Sequence, residues 1–360
     1  MSKKKPKRKI KTWLAITIGI FCGIVLALSY NLVKKMINNL NYQKQIEKLD
    51  DKLKEDYENY QNDPNNNLKY DKSAIDKFTD CIKNPLDQKE YSTKLTNNIN
   101  KLNNLFKYDS NAFAFSYEDI SSGFNLSYNS KNSLFAASTV KAAVVIYAYD
   151  LAKQNKINLE DEVTYLAKYY LGGTGVIKND KVGSKYTVRY LCKVAIINSD
   201  NIAHKLLCDY LGIDNIKKYW KQYNVDSLMT YNQYFGNISA KDANTYMRVL
   251  YNKFYLENTE LDQELVSYFV DSGVKYITNG TDFKLIANKY GLEKEYVHDN
   301  ALIFDDNPYL LSVLTTKQYT NNFESFFKNV SSIVREIHEE YTSLKSKSCY
   351  NKYLNQKEAD

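Results

Sequence analysis

The stretch Phe135-Ala136-Ala137-Ser138-Thr139-Val140-Lys141 leads into an apolar run, Thr139 to Gln154, that is rich in Ala and Val and contains no Gly or Pro. That composition predicts a largely buried helix. Ser138 and Lys141 stand three residues apart, so on a helix they share one face. A serine hydroxyl is a poor nucleophile until a base takes its proton, and a lysine in a desolvated, cation-rich pocket loses enough basicity to serve. The helix N-terminus adds partial positive charge and free N–H groups that favour an oxyanion. Ser-x-x-Lys alone is common, and it equally describes an N-cap serine followed by an exposed lysine.

Two further elements lie downstream. Ser199-Asp200-Asn201 follows Ser138 by 61 positions, and Lys289-Tyr290-Gly291 sits inside Ala287 to Leu292 on an expected strand. Each is weak by itself, the former reading as the cap of the next helix. Taken in this order the three resemble the class A β-lactamase and penicillin-binding serine hydrolase superfamily, whose Ser-x-x-Lys, Ser-Asp-Asn and Lys-Thr-Gly elements they match. The resemblance covers roughly residues 95 to 343, and Gly172-Gly173-Thr174-Gly175 looks like the glycine-rich turn of Gram-positive members. It implies Ser138 as acylated nucleophile, Lys141 as proton acceptor, Ser199 as proton shuttle and Asn201 as a contact to the substrate amide. Lys289 would supply positive potential for a substrate carboxylate, with Tyr290, Gly291 and Leu292 beside it. The oxyanion hole would form from the backbone N–H groups of Ser138 and Leu292. No cofactor or metal is implied, and the implied substrates are β-lactams or D-Ala-D-Ala-like cell-wall peptides.

Two departures limit the match. Class A β-lactamases use a loop glutamate to position the deacylating water, but no Glu occurs from Val163 to Leu256. Asn224 to Ala240, where that loop should lie, offers only Asp226, off the expected spacing. Slow deacylation is therefore expected. Tyr290 also replaces the small hydroxyl residue of Lys-Thr-Gly, removing a compact donor and adding bulk.

Outward from these motifs, the chain predicts a helix from Lys94 to Leu105, a hairpin from Asn111 to Tyr117 and Phe124 to Tyr128, and helical patterns to about Phe269. Strands at Phe283 to Lys289, Val297 to Phe304 and Leu310 to Thr315 then precede a helix from Phe323 to Tyr341. This order predicts an α+β architecture: an antiparallel sheet completed by both chain ends, five-stranded by the resemblance, flanked by N- and C-terminal helices and carrying an all-helical insertion. The expected divisions are an α/β part at 96–137 and 281–343, a helical part at 138–280, and a polar frayed tail at 344–360.

Ahead of that domain, seven cations and no acid occupy the first eleven residues, and Thr12 to Val33 carries no charge. Residues 13–33 are long enough to cross a hydrocarbon core, and the basic segment 1–12 places the N-terminus in the cytoplasm and the rest outside. The rival, a signal peptide cleaved near Ala27-Leu28-Ser29, is disfavoured because the apolar run continues past that site. Residues 34–95, rich in Asn, Lys and Asp, read as an extracellular stalk. Setting the seven N-terminal cations aside leaves 42 cations against 42 acids, so the net charge of +7 gives no support for nucleic-acid binding. Of five cysteines none forms a CxxC pair; Cys192 and Cys208 read as core residues, while Cys81 and Cys349 could pair in an oxidising exterior. A monomer is expected. The enzymatic reading competes with a non-catalytic surface module that kept the fold, favoured by Tyr290 and the missing glutamate, and with a β-lactam sensor, disfavoured by so short a cytoplasmic segment.

Overall fold

The computed structural model describes residues 79–107, 112–225, 234–282, 284–317 and 322–357. The expected membrane run at 13–33, the basic segment 1–12 and stalk residues 34–78 lie outside these. Among the described residues no helix is long and apolar enough to cross a membrane.

Helix α1 (Thr93–Phe106) begins where Ser92 Oγ accepts the Leu95 N–H at 3.0 Å, relieving one of the first-turn donors that a helix leaves open. Strands β1 (Phe113–Asp119) and β2 (Asn125–Tyr128) form the expected hairpin, with Phe115 opposite Tyr128. A short strand β3 (Leu134–Phe135) leads through a 3₁₀ turn at Ala137–Thr139 into helix α2 (Val140–Lys153). The insertion then runs β4 (Glu162–Thr164), β5 (Lys185–Thr187), α3 (Val188–Ile197), α4 (Asn201–Leu211), α5 (Ile213–Lys221), β6 (Asn237–Ile238), α6 (Ala240–Asn252) and α7 (Glu260–Val270). Strands β7 (Leu285–Glu293), β8 (Tyr296–Phe304) and β9 (Tyr309–Thr315) follow, and helix α8 (Phe323–Lys357) closes the chain.

The main sheet has five strands in the order β2-β1-β9-β8-β7, every neighbour antiparallel. Its two faces carry separate cores. On β9, Tyr309, Leu311 and Val313 face one cluster and Leu310 and Leu314 the other, the two-residue alternation of a strand covered on both sides. The first cluster is capped by α1 and by an apolar stripe of α8, Phe327, Val330, Val334, Ile337 and Tyr341, all fully buried. The second holds α2, whose Ala143 carbonyl accepts the Trp220 indole N–H at 2.9 Å.

Three expectations need correction. The insertion is not all-helical: β4 pairs with β5 and β3 with β6, in strands of two or three residues, too short to leave a periodic signal. The polar tail expected from residue 344 is instead helix through Lys357, and the end of the stalk belongs to the folded domain. Leu86 is buried and donates its N–H to Tyr341 Oη at 3.0 Å, and Cys81 is disulfide-bonded to Cys349. A polar segment reads as solvent-facing, yet α8 turns Lys345 and Cys349 inward, with Leu344 half-buried against the same core, and so stays docked beyond residue 344.

Because this bond ties residues 268 apart, replacing both cysteines by serine should lower the unfolding free energy by about 2–4 kcal/mol. The urea midpoint of the full-length double variant checks this; an unchanged midpoint would show that the disulfide contributes nothing to holding the chain ends.

Candidate active site

The nucleophile candidate stands where three elements meet. The Ala136 N–H donates to the Gly236 carbonyl at 2.8 Å, extending the β3–β6 pair, and the Thr139 hydroxyl donates back to the Ala136 carbonyl at 2.6 Å. Between them Ala137 takes φ 47°, a left-handed conformation that costs a non-glycine residue on the order of 1 kcal/mol or more. The turn so made puts Ser138, 8% exposed, at the mouth of α2. His298 steadies the approach. Its Nδ1 accepts the Thr315 N–H at 3.2 Å, so Nε2–H donates to the Phe135 carbonyl at 2.8 Å, and burial pushes its pKa down to about 4. It is thus a neutral brace behind the turn, not a base beside Ser138.

Lys141, one helical turn on, is fully buried. Its Nζ lies 2.9 Å from Ser138 Oγ, 2.6 Å from the Ser199 carbonyl, 3.2 Å from Ser199 Oγ and 2.7 Å from Asn201 Oδ1. Desolvation pulls its pKa from 10.5 to about 7, against the opposing pull of the Asp200 charge.

The Ser199-Asp200-Asn201 segment is held by its middle residue. Asp200 Oδ1 accepts the N–H groups of Ile202 and Ala203, capping α4, while Oδ2 accepts those of Val176 (2.6 Å) and Ile177 (2.9 Å). One carboxylate therefore ties the motif to the glycine-rich turn. Gly175 is required there: its φ is 123°, and a Cβ would fall 2.4 Å from Asp200 Oδ2. Ser199, at φ 52°, turns its carbonyl inward to receive both Lys141 Nζ and the Thr174 hydroxyl at 2.7 Å.

Lys289 reaches the same cluster from β7, its Nζ donating to Ser199 Oγ at 3.0 Å and to the Tyr290 carbonyl at 3.1 Å. Burial and the neighbouring Lys141 hold its pKa well below the ordinary lysine value. The Tyr290 ring packs 4.0 Å from the Lys289 ammonium and is 7% exposed. Gly291 lets β7 touch the nucleophile turn, since a Cβ there would lie 3.0 Å from the Ala136 carbonyl oxygen and from Thr139 Cγ2. Leu292, next along, joins Ser138, Ala137, Asn201 and Asn237 in lining a cleft of about 970 Å³.

All eight residues singled out in the sequence thus converge here, Tyr290 against Lys289. Missed were Asp200 as a clamp, His298 as a brace, Thr174, and the cleft wall formed by Asn237 and the β7–β8 hairpin. Gly-x-Gly at 173–175 carried a signal of close backbone approach; the others had none. Asp226 lies outside the described residues.

The model of the β-lactamase enzyme family matches residues 97–340. The chain belongs to the β-lactamase enzyme family. Among solved structures it is similar to PBP-A, at 18% identity and TM-score 0.62 over 68% of this chain and 97% of that one. It is also similar to a β-lactamase from Sphaerobacter thermophilus, at 16% identity and TM-score 0.58, covering 66% and 95% of the two chains. A mutant class A β-lactamase reconstructed for the last common ancestor of Gram-negative bacteria matches at 21% identity and TM-score 0.57, covering 67% and 99%. At these identities the likeness is one of fold, and it makes the α+β architecture with its five-stranded antiparallel sheet a β-lactamase fold. No curated protein sequence matches the chain significantly.

The lowered Lys141 pKa has a thermodynamic consequence. Between about pH 7 and 10.5 the unfolded lysine holds its proton while the folded one has released it, so stability contributed by this site rises with pH, by up to about 1.4 kcal/mol per unit. Below pH 7 both states are protonated and the cost of the buried ammonium is fully present. Urea midpoints at pH 6 and pH 9 should accordingly diverge less in Lys141→Met than in the native chain. Equal pH dependence in the two would contradict a depressed Lys141.

Proposed function

We propose that this chain is a membrane-tethered serine acyl-transfer enzyme in which Ser138 is acylated by a β-lactam or by a cell-wall peptide amide. The observation that carries the reading is the buried Lys141 amine 2.9 Å from Ser138 Oγ, with a pKa near 7. A neutral amine has two hydrogens and one lone pair. With its two shortest contacts, at 2.6 and 2.7 Å, made to oxygens that can only accept, its lone pair is left for the Ser138 hydroxyl proton.

Ser138 Oγ then bonds to the acyl carbon as its proton passes to Lys141. The oxyanion meets the N–H groups of Ser138 and Leu292, the latter brought close by Gly291. The bond to the leaving nitrogen breaks as that nitrogen receives a proton relayed from Lys141 through Ser199, which touches both lysines. Hydrolysis of the ester is slow in this reading, because the segment from Val163 to Leu256 supplies no glutamate for the water. The fold neighbours lend support, as a PBP-A mutant has been captured as an acyl-enzyme with penicillin G. The tether is supported by the uncharged run to Val33 behind seven cations.

Tyr290 favours a second reading, a catalytically degenerate surface module that kept the fold to bind a cell-wall or protein partner. Incubating the full-length chain with a fluorescent penicillin decides between them: covalent label should build to one equivalent, persist after removal of free probe and vanish in Ser138→Ala. Lys141→Met should slow labelling on the order of 10²-fold or more, and the native rate should climb as pH rises through about 7. Failure to label at any pH, together with no modification of Ser138 by a fluorophosphonate, which unlike penicillin carries no carboxylate on its leaving group, would favour the binding module.

A further inference from the structure

Resting on that enzymatic reading, we infer that the cleft selects acyl donors whose leaving group bears no free carboxylate, and that Tyr290 and the β7–β8 hairpin impose the selection. The substrate class is an internal peptide bond, or an amide or ester capped beyond the scissile bond, in place of a chain-terminal acid.

Three observations converge. First, Lys289 is buried and already engaged. Its ammonium is completely buried, two of its hydrogens go to Ser199 Oγ and the Tyr290 carbonyl, and the Tyr290 ring covers it at 4.0 Å. Second, Tyr290 is itself packed, buried and edge-on to Tyr276 at 6.4 Å. A bulky ring thus stands at the strand position where the family's Lys-Thr-Gly element carries a small hydroxyl. Third, the charges on the cleft wall have the wrong sign. Among its described lining residues the charged ones are Glu293, Lys294 and Glu295, all exposed on the hairpin beyond Leu292, so one cation stands between two carboxylates. A substrate carboxylate would leave water without a partner that repays its desolvation. An uncharged amide at the same position loses far less on entering. The depressed pKa of Lys289 works in the same direction, by weakening the positive potential behind the ring.

The chemistry of acylation is unaltered. Ser138 Oγ bonds to the acyl carbon, the bond to the leaving oxygen or nitrogen breaks, and the serine proton ends on that leaving atom.

The test compares two acyl donors on the full-length chain: a fluorescently labelled D-alanyl-D-lactate with a free carboxylate, and the same depsipeptide capped as its N-methylamide. Ser138 acylation is followed by intact mass after acid quench. The native chain should acylate at least tenfold faster with the N-methylamide, and Tyr290→Thr should shift that ratio at least tenfold towards the free acid. Glu293→Gln combined with Glu295→Gln should shift it the same way by a smaller factor. A change of ratio between two probes is a readout that general damage to the fold does not produce. Faster native acylation by the free acid would overturn the proposal, as would a ratio that neither variant moves. A fluorophosphonate, which needs no leaving-group recognition, separates the levels of failure: absence of Ser138 modification by it and by both depsipeptides would overturn the enzymatic reading and this proposal with it.

Discussion

Burial of the Lys141 amine is the constraint around which the rest of the site is arranged. An ammonium removed from water is costly, and here no carboxylate touches it; its partners are the Ser138 hydroxyl, the Ser199 carbonyl and hydroxyl, and the Asn201 amide oxygen. Such a set stabilises a neutral amine well and a cation poorly. Each partner must also be held from outside, since none would remain in place for a weak interaction with Lys141 alone. Asp200 does this for Ser199 and Asn201 by accepting four backbone N–H groups from two segments. The Ala137 turn, braced through Phe135 by His298, does it for Ser138.

Strain collects where this holding is done. Ala137 and Ser199 both adopt positive φ without being glycine, at the two places where the chain must point a reactive group into the cleft. Two separate apolar cores, one on each face of the sheet, supply the rigidity that sustains such conformations. Gly175 and Gly291 serve a complementary purpose, allowing backbone to come where a side chain would collide.

Tyr290 sits beside Lys289 without displacing it from the cluster. Lys289 keeps its contact to Ser199 Oγ, so the chain of proton-carrying groups is intact. The Tyr290 ring lies against the same ammonium, and both residues are buried.

Much of this was legible in the sequence. Strand alternation marked β1, β8 and β9, the uninterrupted apolar run marked α2, and the three motifs named Ser138, Lys141, Ser199, Asn201 and Lys289, because periodicity and motif spacing are properties of the chain itself. The end of the helix at Lys357 and the docking of residues 79–95 were not legible, and the pairing of Cys81 with Cys349 was open in the sequence until their proximity was known. They depend on a few inward-facing atoms within polar segments, which composition averages away. Nor could sequence show that Asp200 clamps Gly175, that His298 braces Phe135, or on which side of Lys289 the Tyr290 ring would lie. Those outcomes turn on distances between residues far apart in the chain, and only packing of the sheet against the helical insertion decides them.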